Sequence, residues 1–211
     1  MNLIFDIGNV ICKWDPWTLV ERLFETSDQQ QEALQSVIQH QDWVELDKGL
    51  LDVEQALTNA VARCSLDKEA LRQVYLETPV SLTPYPTVVN ALKDLRSRGY
   101  PIYALSNMQR HSWHWLYPRY DFWSLFDGIV VSYEIGLVKP DQEIFEYMTG
   151  RYGLDPADSL FLDDMQVNVD AARRHGMQCI LVSDARQGID DLYDRLGIQR
   201  GTVYGGRDKN R

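Results

Sequence analysis

Asn2-Leu-Ile-Phe-Asp6-Ile-Gly8-Asn9-Val10-Ile11 is the stretch that decides the fold. Apolar residues run straight into an aspartate with no helical period, and a glycine and an asparagine follow. That pattern predicts a short buried strand of a parallel sheet with Asp6 at its carboxyl end. Ligands of open α/β sheets bind at that end. A carboxylate placed there can be a nucleophile, a metal ligand or both. It can equally be an aspartate that caps a loop.

The character changes after Ile11. Between Trp14 and Thr83 the pattern is helical and no strand stands out: Leu19, Leu23 and Phe24, then Leu34, Val37 and Ile38, recur at helical spacing. Asp52 and Asp67 each sit where an N-cap belongs. Residues 14–83 therefore read as a four-helix module inserted behind the first strand, with Leu82-Thr-Pro84-Tyr-Pro86 as the return linker. From Thr87 strands and helices alternate. Val88, Val89, Leu92 and Leu95 mark a helix stopped at Gly99. Strands are expected at 101–105, 128–132, 159–162 and 178–182. Lys139-Pro140 should open a helix, and another should run from Val167 to His175. Such alternation predicts an α/β fold with a doubly wound parallel sheet, built from residues 1–13 and 84–200. The Gly-rich basic tail, 201–211, is expected to fray.

Composition narrows the partners. The chain has 211 residues and a net charge of -10, a surface that disfavours nucleic acid and anionic membrane. No apolar run approaches the length of a membrane span. Cys12, Cys64 and Cys179 are scattered without metal spacing. With no leader ahead of the first strand, they suggest reduced thiols and a cytoplasmic location.

Polar groups follow the expected strands in a set order: Asp6, Ser106-Asn107, Lys139 and Asp163-Asp164. Asp6-Ile-Gly8-Asn9-Val10, Leu105-Ser106-Asn107, Val138-Lys139-Pro140 and Phe161-Leu162-Asp163-Asp164 resemble the four motifs of the haloacid dehalogenase (HAD) superfamily. The helical insert is similar in place and length to that family's small cap. Within the family, the first motif and the Trp/Tyr-rich segment after Asn107 look most like the bacterial glucose-1-phosphate phosphatase branch.

The resemblance implies a Rossmann-like catalytic core and a Mg²⁺-dependent phosphatase acting on a small phosphorylated metabolite, a sugar phosphate first of all. Asp6 would attack phosphorus and form an aspartyl-phosphate that water hydrolyses. Asp6, the Gly8 carbonyl and Asp164 would hold Mg²⁺, with Asp163 orienting a metal-bound water. Lys139 would supply positive charge, and Ser106 and Asn107 would bind phosphate, helped by a helix start behind them. Asn168 would brace Asp163 or Lys139, or cap the helix it begins. Trp43 and Lys48, in an expected cap loop from Trp43 to Gly49, would touch the leaving group. His111, His114, Trp113, Trp115 and Trp123 read as packing, in a monomer or a homodimer.

One position departs from the family pattern. Many of its phosphatases carry a second Asp two residues after the nucleophile, as proton donor and then general base. Here that position is Gly8, which transfers no proton. General acid-base help is worth ~10²–10⁴ in rate. Asp15, Asp42, Glu45 and Asp47 are candidate substitutes. Without one, the chain could be a non-catalytic or weakly catalytic phosphate-binding module. A 2-haloacid dehalogenase, which needs no second Asp, is a third reading, opposed by the acidic pair Asp163-Asp164.

Overall fold

The computed structural model describes residues 1–199, so the tail expected to fray lies outside the described residues. Strand β1 (Asn2–Phe5) leads through a two-residue strand β2 (Cys12–Lys13) into a run of helices: α1 (Pro16–Leu23), α2 (Ser27–Ala33, continued by a π-helical turn, Leu34–Ile38), α3 (Gln41–Asp47), α4 (Val53–Arg63) and α5 (Lys68–Ser81). Strand β3 (Thr83–Pro84) returns the chain to α6 (Pro86–Ser97), β4 (Ile102–Ser106), α7 (Arg110–Leu116) and β5 (Gly128–Val131). There follow a short turn α8 (Ser132–Ile135), α9 (Gln142–Tyr152), β6 (Ser159–Asp163), α10 (Gln166–Arg174), β7 (Gln178–Leu181) and α11 (Ala185–Leu196).

The main sheet has the order β5-β4-β1-β6-β7, and every pairing in it is parallel. The first strand is central, which is why it reads as an unbroken apolar run: Leu3, Ile4 and Phe5 are fully buried between two neighbours and two helical layers. Leu3 and Phe5 face a core shared with α6 and α11, whereas Ile4 faces one shared with α9 and α10. Burying one such side chain stabilises by about 1.5–3 kcal/mol. From β1 the chain winds outward through β4 and β5, then crosses back to β6 and β7. The carboxyl ends of β1 and β6 thus flank the point where the winding reverses, and a crevice opens there.

The inserted helices bury a core of their own, with Leu19, Val20, Leu57, Leu71 and Val74 at its centre. Asp52 and Asp67 cap α4 and α5 as expected, the former in a capping box with Gln55. Three details differ from the sequence expectation. The insert holds five helices rather than four among the described residues, because the Trp43–Gly49 stretch is helix α3 and not a loop; the His40 side chain accepts from Asp42 N–H at its start, 3.1 Å away. A ribbon, β2 against β3, closes the base of the insert, and two-residue strands leave no periodicity to read. Pro140 does not open a helix. The Lys139-Pro140 bond is cis, α9 begins at Gln142, and both backbone polar groups of Lys139 are held by Asn107 instead.

The cap docks on the core through the end of α3. Ser132 Oγ donates to the Asp47 carbonyl (2.5 Å) and accepts from Met108 N–H (2.9 Å), tying cap, β5 and the loop after β4 together. Gly49 follows with φ +70°, and a Cβ there would stand 2.6 Å from the Tyr133 carbonyl oxygen. Gly99 has a similar φ, +85°, with nothing within 4 Å of a Cβ. A left-handed residue with a Cβ costs roughly 1–2 kcal/mol, so Gly99→Ala should lower Tm by about 2–8 °C. Gly49→Ala should lower it further, because the docked carbonyl must also move. Differential scanning calorimetry of the two variants tests this, and equal shifts would mean that the approach to Tyr133 is not close.

Candidate active site

Three side chains meet at the winding reversal. Lys139 Nζ stands 2.9 Å from Asp6 Oδ1 and 2.7 Å from Asp163 Oδ2. All three are buried, Asp163 completely. Asp6 arrives there because β1 ends one residue earlier, where its N–H still donates to the Leu162 carbonyl of β6 (2.9 Å). Asp6 Oδ1 also accepts from Ile7 N–H at 2.6 Å. Asp163 is the last residue of β6, and every route around it is occupied: Oδ1 accepts from Met165 N–H (2.8 Å), and Asn168 Nδ2 reaches both oxygens (3.0 and 3.1 Å).

Neighbouring polar residues hold this group in place. Asn107 donates Nδ2 to the Lys139 carbonyl (2.9 Å) and accepts Lys139 N–H at Oδ1 (2.8 Å). Its side chain therefore positions the lysine, and what it offers a ligand is its backbone. Ser106 is buried at the end of β4, beside Asn107. The helix expected directly behind them starts later, at Arg110. Asn168 braces Asp163; it does not cap α10, whose N-cap is Met165. Asn9, quoted in the first motif but given no role, takes φ +53° and donates Nδ2 to Asp164 Oδ2 (3.0 Å), while its Oδ1 accepts Trp14 N–H (2.9 Å). Asparagine tolerates that backbone region better than most residues, which is the one signal sequence reading could have used.

A cavity of about 320 Å³ opens over the site, between core and cap. Asp6, Gly8, Ser106, Asn107, Lys139 and Asp164 line its floor, and Trp14, Ile38, Trp43 and Leu82 line its apolar wall. Trp14 stacks on Trp43 at 6.0 Å between ring centroids, and Trp43 on Tyr75 at 6.3 Å. Trp43 thus meets the site as expected, whereas Lys48, the C-cap of α3, is not part of the lining. Of the four candidate acids, only Asp47 reaches the cavity. Asp15 caps α1, Asp42 pairs with Arg63 and His40, and Glu45 accepts from Gln41.

Charge is unbalanced here. Asp6, Asp163 and Asp164 offer oxygens within 4.8 Å of one another. Set against one ammonium, three ionised carboxylates leave two negative charges in surplus. Burial first, then the charges of Asp163 and Asp164, push the Asp6 carboxyl up to about 7 despite Lys139. Burial likewise raises Asp164. Asp163 and Asp6 hold Lys139 above its ordinary value although burial works against its charge. Asp47 is pushed up to about 8 by burial and by the Asp6 charge. Among the described residues no hydrogen bond reaches Asp6 Oδ2 or the Gly8 carbonyl, and the Asn9 amide takes a single oxygen of Asp164. Oxygen donors with surplus negative charge fit a hard divalent cation.

The model of one family, haloacid dehalogenase-like hydrolase, matches residues 2–176. The chain belongs to that family. The site residues of this HAD-like hydrolase all fall within the matched span. It is 26% identical over 194 residues to a sesquiterpene phosphatase of Aspergillus oryzae, covering 92% of this chain and 95% of that one. It is 34% identical over 120 residues to a glyceraldehyde 3-phosphate phosphatase of Methanothermobacter thermautotrophicus, covering 56% of this chain and 53% of the relative. In fold it is similar to a HAD family enzyme of Bacteroides thetaiotaomicron solved with magnesium and inorganic phosphate (TM-score 0.67, 23% identity, 85% of this chain and 92% of that one). No helix among the described residues is long and apolar enough to cross a membrane.

The raised carboxyls give this hydrolase a pH signature. Between the ordinary value of 3.8 and about 7 for Asp6, and about 8 for Asp47, the folded chain keeps protons that the unfolded chain has released. Stability then falls as pH rises through that window. A cation binds the deprotonated form, so it stabilises most at the upper end. In EDTA, Tm should decline from pH 5 to 8, and Mg²⁺ should raise it more at pH 8 than at pH 5. Asp6→Asn should flatten both trends in a calorimetric pH series; an unchanged slope would place the protons elsewhere.

Proposed function

We propose that the chain is a Mg²⁺-dependent phosphatase of small phosphate monoesters, working through an aspartyl-phosphate on Asp6. The buried Asp6–Lys139–Asp163 group at the cavity floor carries this reading. An Asp6 oxygen attacks phosphorus, and the bond from phosphorus to the leaving oxygen breaks. Asp47 gives that oxygen its proton. A water molecule then attacks the phosphorus of the aspartyl-phosphate, Asp47 takes up the water's proton, the bond from phosphorus to the Asp6 oxygen breaks, and inorganic phosphate departs with the Asp6 carboxylate restored. Lys139 holds Asp6 in line and faces the phosphoryl oxygens, and Ser106 with the Asn107 backbone binds them. Asp6, the Gly8 carbonyl and Asp164 would hold Mg²⁺, which would supply positive charge favouring the ionised Asp6 carboxylate and offsetting that of phosphate. Asp163 stays with Lys139 and Asn168 as a positioning group.

Support comes from two directions. The oxygen-rich, over-negative floor suits a divalent ion and a phosphate together, and the two curated relatives above carry phosphatase names. A dehalogenase working without metal would leave about half of Asp6 protonated near pH 7, which lowers the share of active nucleophile. Gly8 favours a second reading, a slow or non-catalytic phosphate binder, and Asp47 is the group that answers it. Among substrates, a sugar phosphate suits an apolar wall of Trp14 and Trp43 set against a polar floor. Trp43 is accordingly a leaving-group contact, with Lys48 outside the lining.

A Mg²⁺-supplemented screen over small phosphate esters should find activity that EDTA abolishes and that Asp6→Asn lowers by about 10³-fold or more. If the variant matches wild type, the activity lies elsewhere. Asp47→Asn should lower kcat/KM, which reports the leaving-group step alone, by ~10²-fold or more on an alkyl phosphate while sparing kcat/KM on p-nitrophenyl phosphate, whose leaving group needs no proton. A Cβ at Gly8 would meet only Trp14 Cβ, at 3.8 Å. Adding Gly8→Asp to Asp47→Asn should therefore restore alkyl ester hydrolysis; equal loss on both esters would remove Asp47 from the proton path.

A further inference from the structure

The cavity contains polar atoms that nothing in the protein satisfies. Both amide atoms of Gln109 and the Ser112 hydroxyl are buried without a hydrogen-bond partner, and each residue is only 2% exposed. Both line the cavity. Gln109 is the N-cap of α7 and Ser112 lies three residues on, so the two share one face of the helix start. Buried polar groups without partners are rare in folded proteins, and two adjoining ones in a cavity need an explanation. Looseness of the region is not one: Asn107, Ser132 and Asn168, on the same edge of the sheet, are all bonded. Tyr75 Oη and Trp123 Nε1 are unpartnered too, but neither residue lines the cavity.

We propose that Gln109 and Ser112 form the recognition point for the leaving group, selecting phosphate monoesters whose organic part is small, neutral and hydroxyl-bearing. This rests on the phosphatase reading of the same site. An amide offers one donor group and one acceptor, and a hydroxyl offers both, which matches alcohol groups and brings no charge to offset an anion. Lys139 is the only cation in the lining among the described residues, and Asp6 and Asp163 already share it. A second phosphate or a carboxylate on the substrate would find no partner and would face Asp47. Trp14, Trp43 and Met108 give the carbon skeleton an apolar surface. The volume of about 320 Å³ lies at the low end of the roughly 300–1,000 Å³ of small-molecule sites, room for one ring and its phosphate.

The test uses the full chain with Mg²⁺ and four esters: an aldohexose monophosphate, cyclohexyl phosphate (the same ring without hydroxyls), 3-phosphoglycerate and p-nitrophenyl phosphate. Wild type should favour the hexose ester over cyclohexyl phosphate and over 3-phosphoglycerate in kcat/KM. Gln109→Leu, and separately Ser112→Ala, should reduce the hexose-to-cyclohexyl ratio of kcat/KM by at least about tenfold, the scale of one lost hydrogen bond. Using a ratio removes any general loss from misfolding, and the smaller Ser112→Ala change keeps the test open if Gln109→Leu folds poorly. Unchanged ratios in both variants would mean that trapped water satisfies the three atoms, and would overturn the inference. So would a wild-type preference for cyclohexyl phosphate or 3-phosphoglycerate while p-nitrophenyl phosphate is still hydrolysed. No hydrolysis of any ester would overturn the phosphatase reading itself.

Discussion

A single buried ammonium, that of Lys139, holds two carboxylates that would otherwise drive each other apart. Asp6 and Asp163 come from the ends of adjacent strands, and the lysine reaches both within 2.9 Å. Removing one partner from such a buried group is expensive, roughly 3–5 kcal/mol, because the charge left behind has neither water nor a counter-ion. Even with the lysine present the group is short of positive charge, and Asp164 widens the deficit. The site is therefore incomplete as a purely protein structure. It is built to be finished by a cation and an anion together, and each makes the other easier to bind.

Backbone geometry keeps that arrangement from relaxing. The two contacts of Asn107 fix the backbone of Lys139, and Asp6 and Asp163 hold the ammonium at the far end of its side chain. Met165 N–H and Asn168 immobilise Asp163 in turn. Asn9 performs the same service for Asp164, in a left-handed conformation that places the following Trp14 beside the cavity. Ser132 extends the network upward, joining the loop after β4 to the end of α3. Cap and core are thus connected through polar bonds a few residues from the floor of the site and through the stack of Trp14 on Trp43, while their buried apolar cores remain separate clusters.

Most of the floor was legible in the sequence because strand ends announce themselves. An apolar run broken by Asp6, Ser106 or Asp163 fixes both the strand and the position of its polar terminus, and central strands of a parallel sheet can put those termini at one edge only. The cap was harder. Its helices follow an ordinary apolar period, but α3 is one short segment between His40 and Gly49, and seven residues hold too little periodicity to separate helix from loop. Side-chain roles were legible only when position alone decided them. Asn168 could have capped or braced, and its contacts with Asp163 decided it; the Asn107 side chain, expected on phosphate, bonds the Lys139 backbone; of four candidate acids only Asp47 lines the cavity. Gln109 and Ser112 carried no signal at all, since a polar residue in the first turn of a helix is ordinary in any sequence. Their lack of partners exists only in three dimensions.

Glycine at position 8 alters more than the identity of a proton donor. An acid on the loop after β1 would be rigid with the core and present whether or not the cap was seated. Asp47 is the last residue of α3, and it is in place only while its carbonyl is bonded to Ser132 and Gly49 lies against Tyr133. On the proposed mechanism, seating the cap and presenting the proton are then one event. On that mechanism the acid and Trp43 sit on one helix, so the group that protonates the leaving group and the wall that meets it are held by the same element. Moving the acid from core to cap thus couples chemistry to recognition, and a small site can gain selectivity from it without any additional contact.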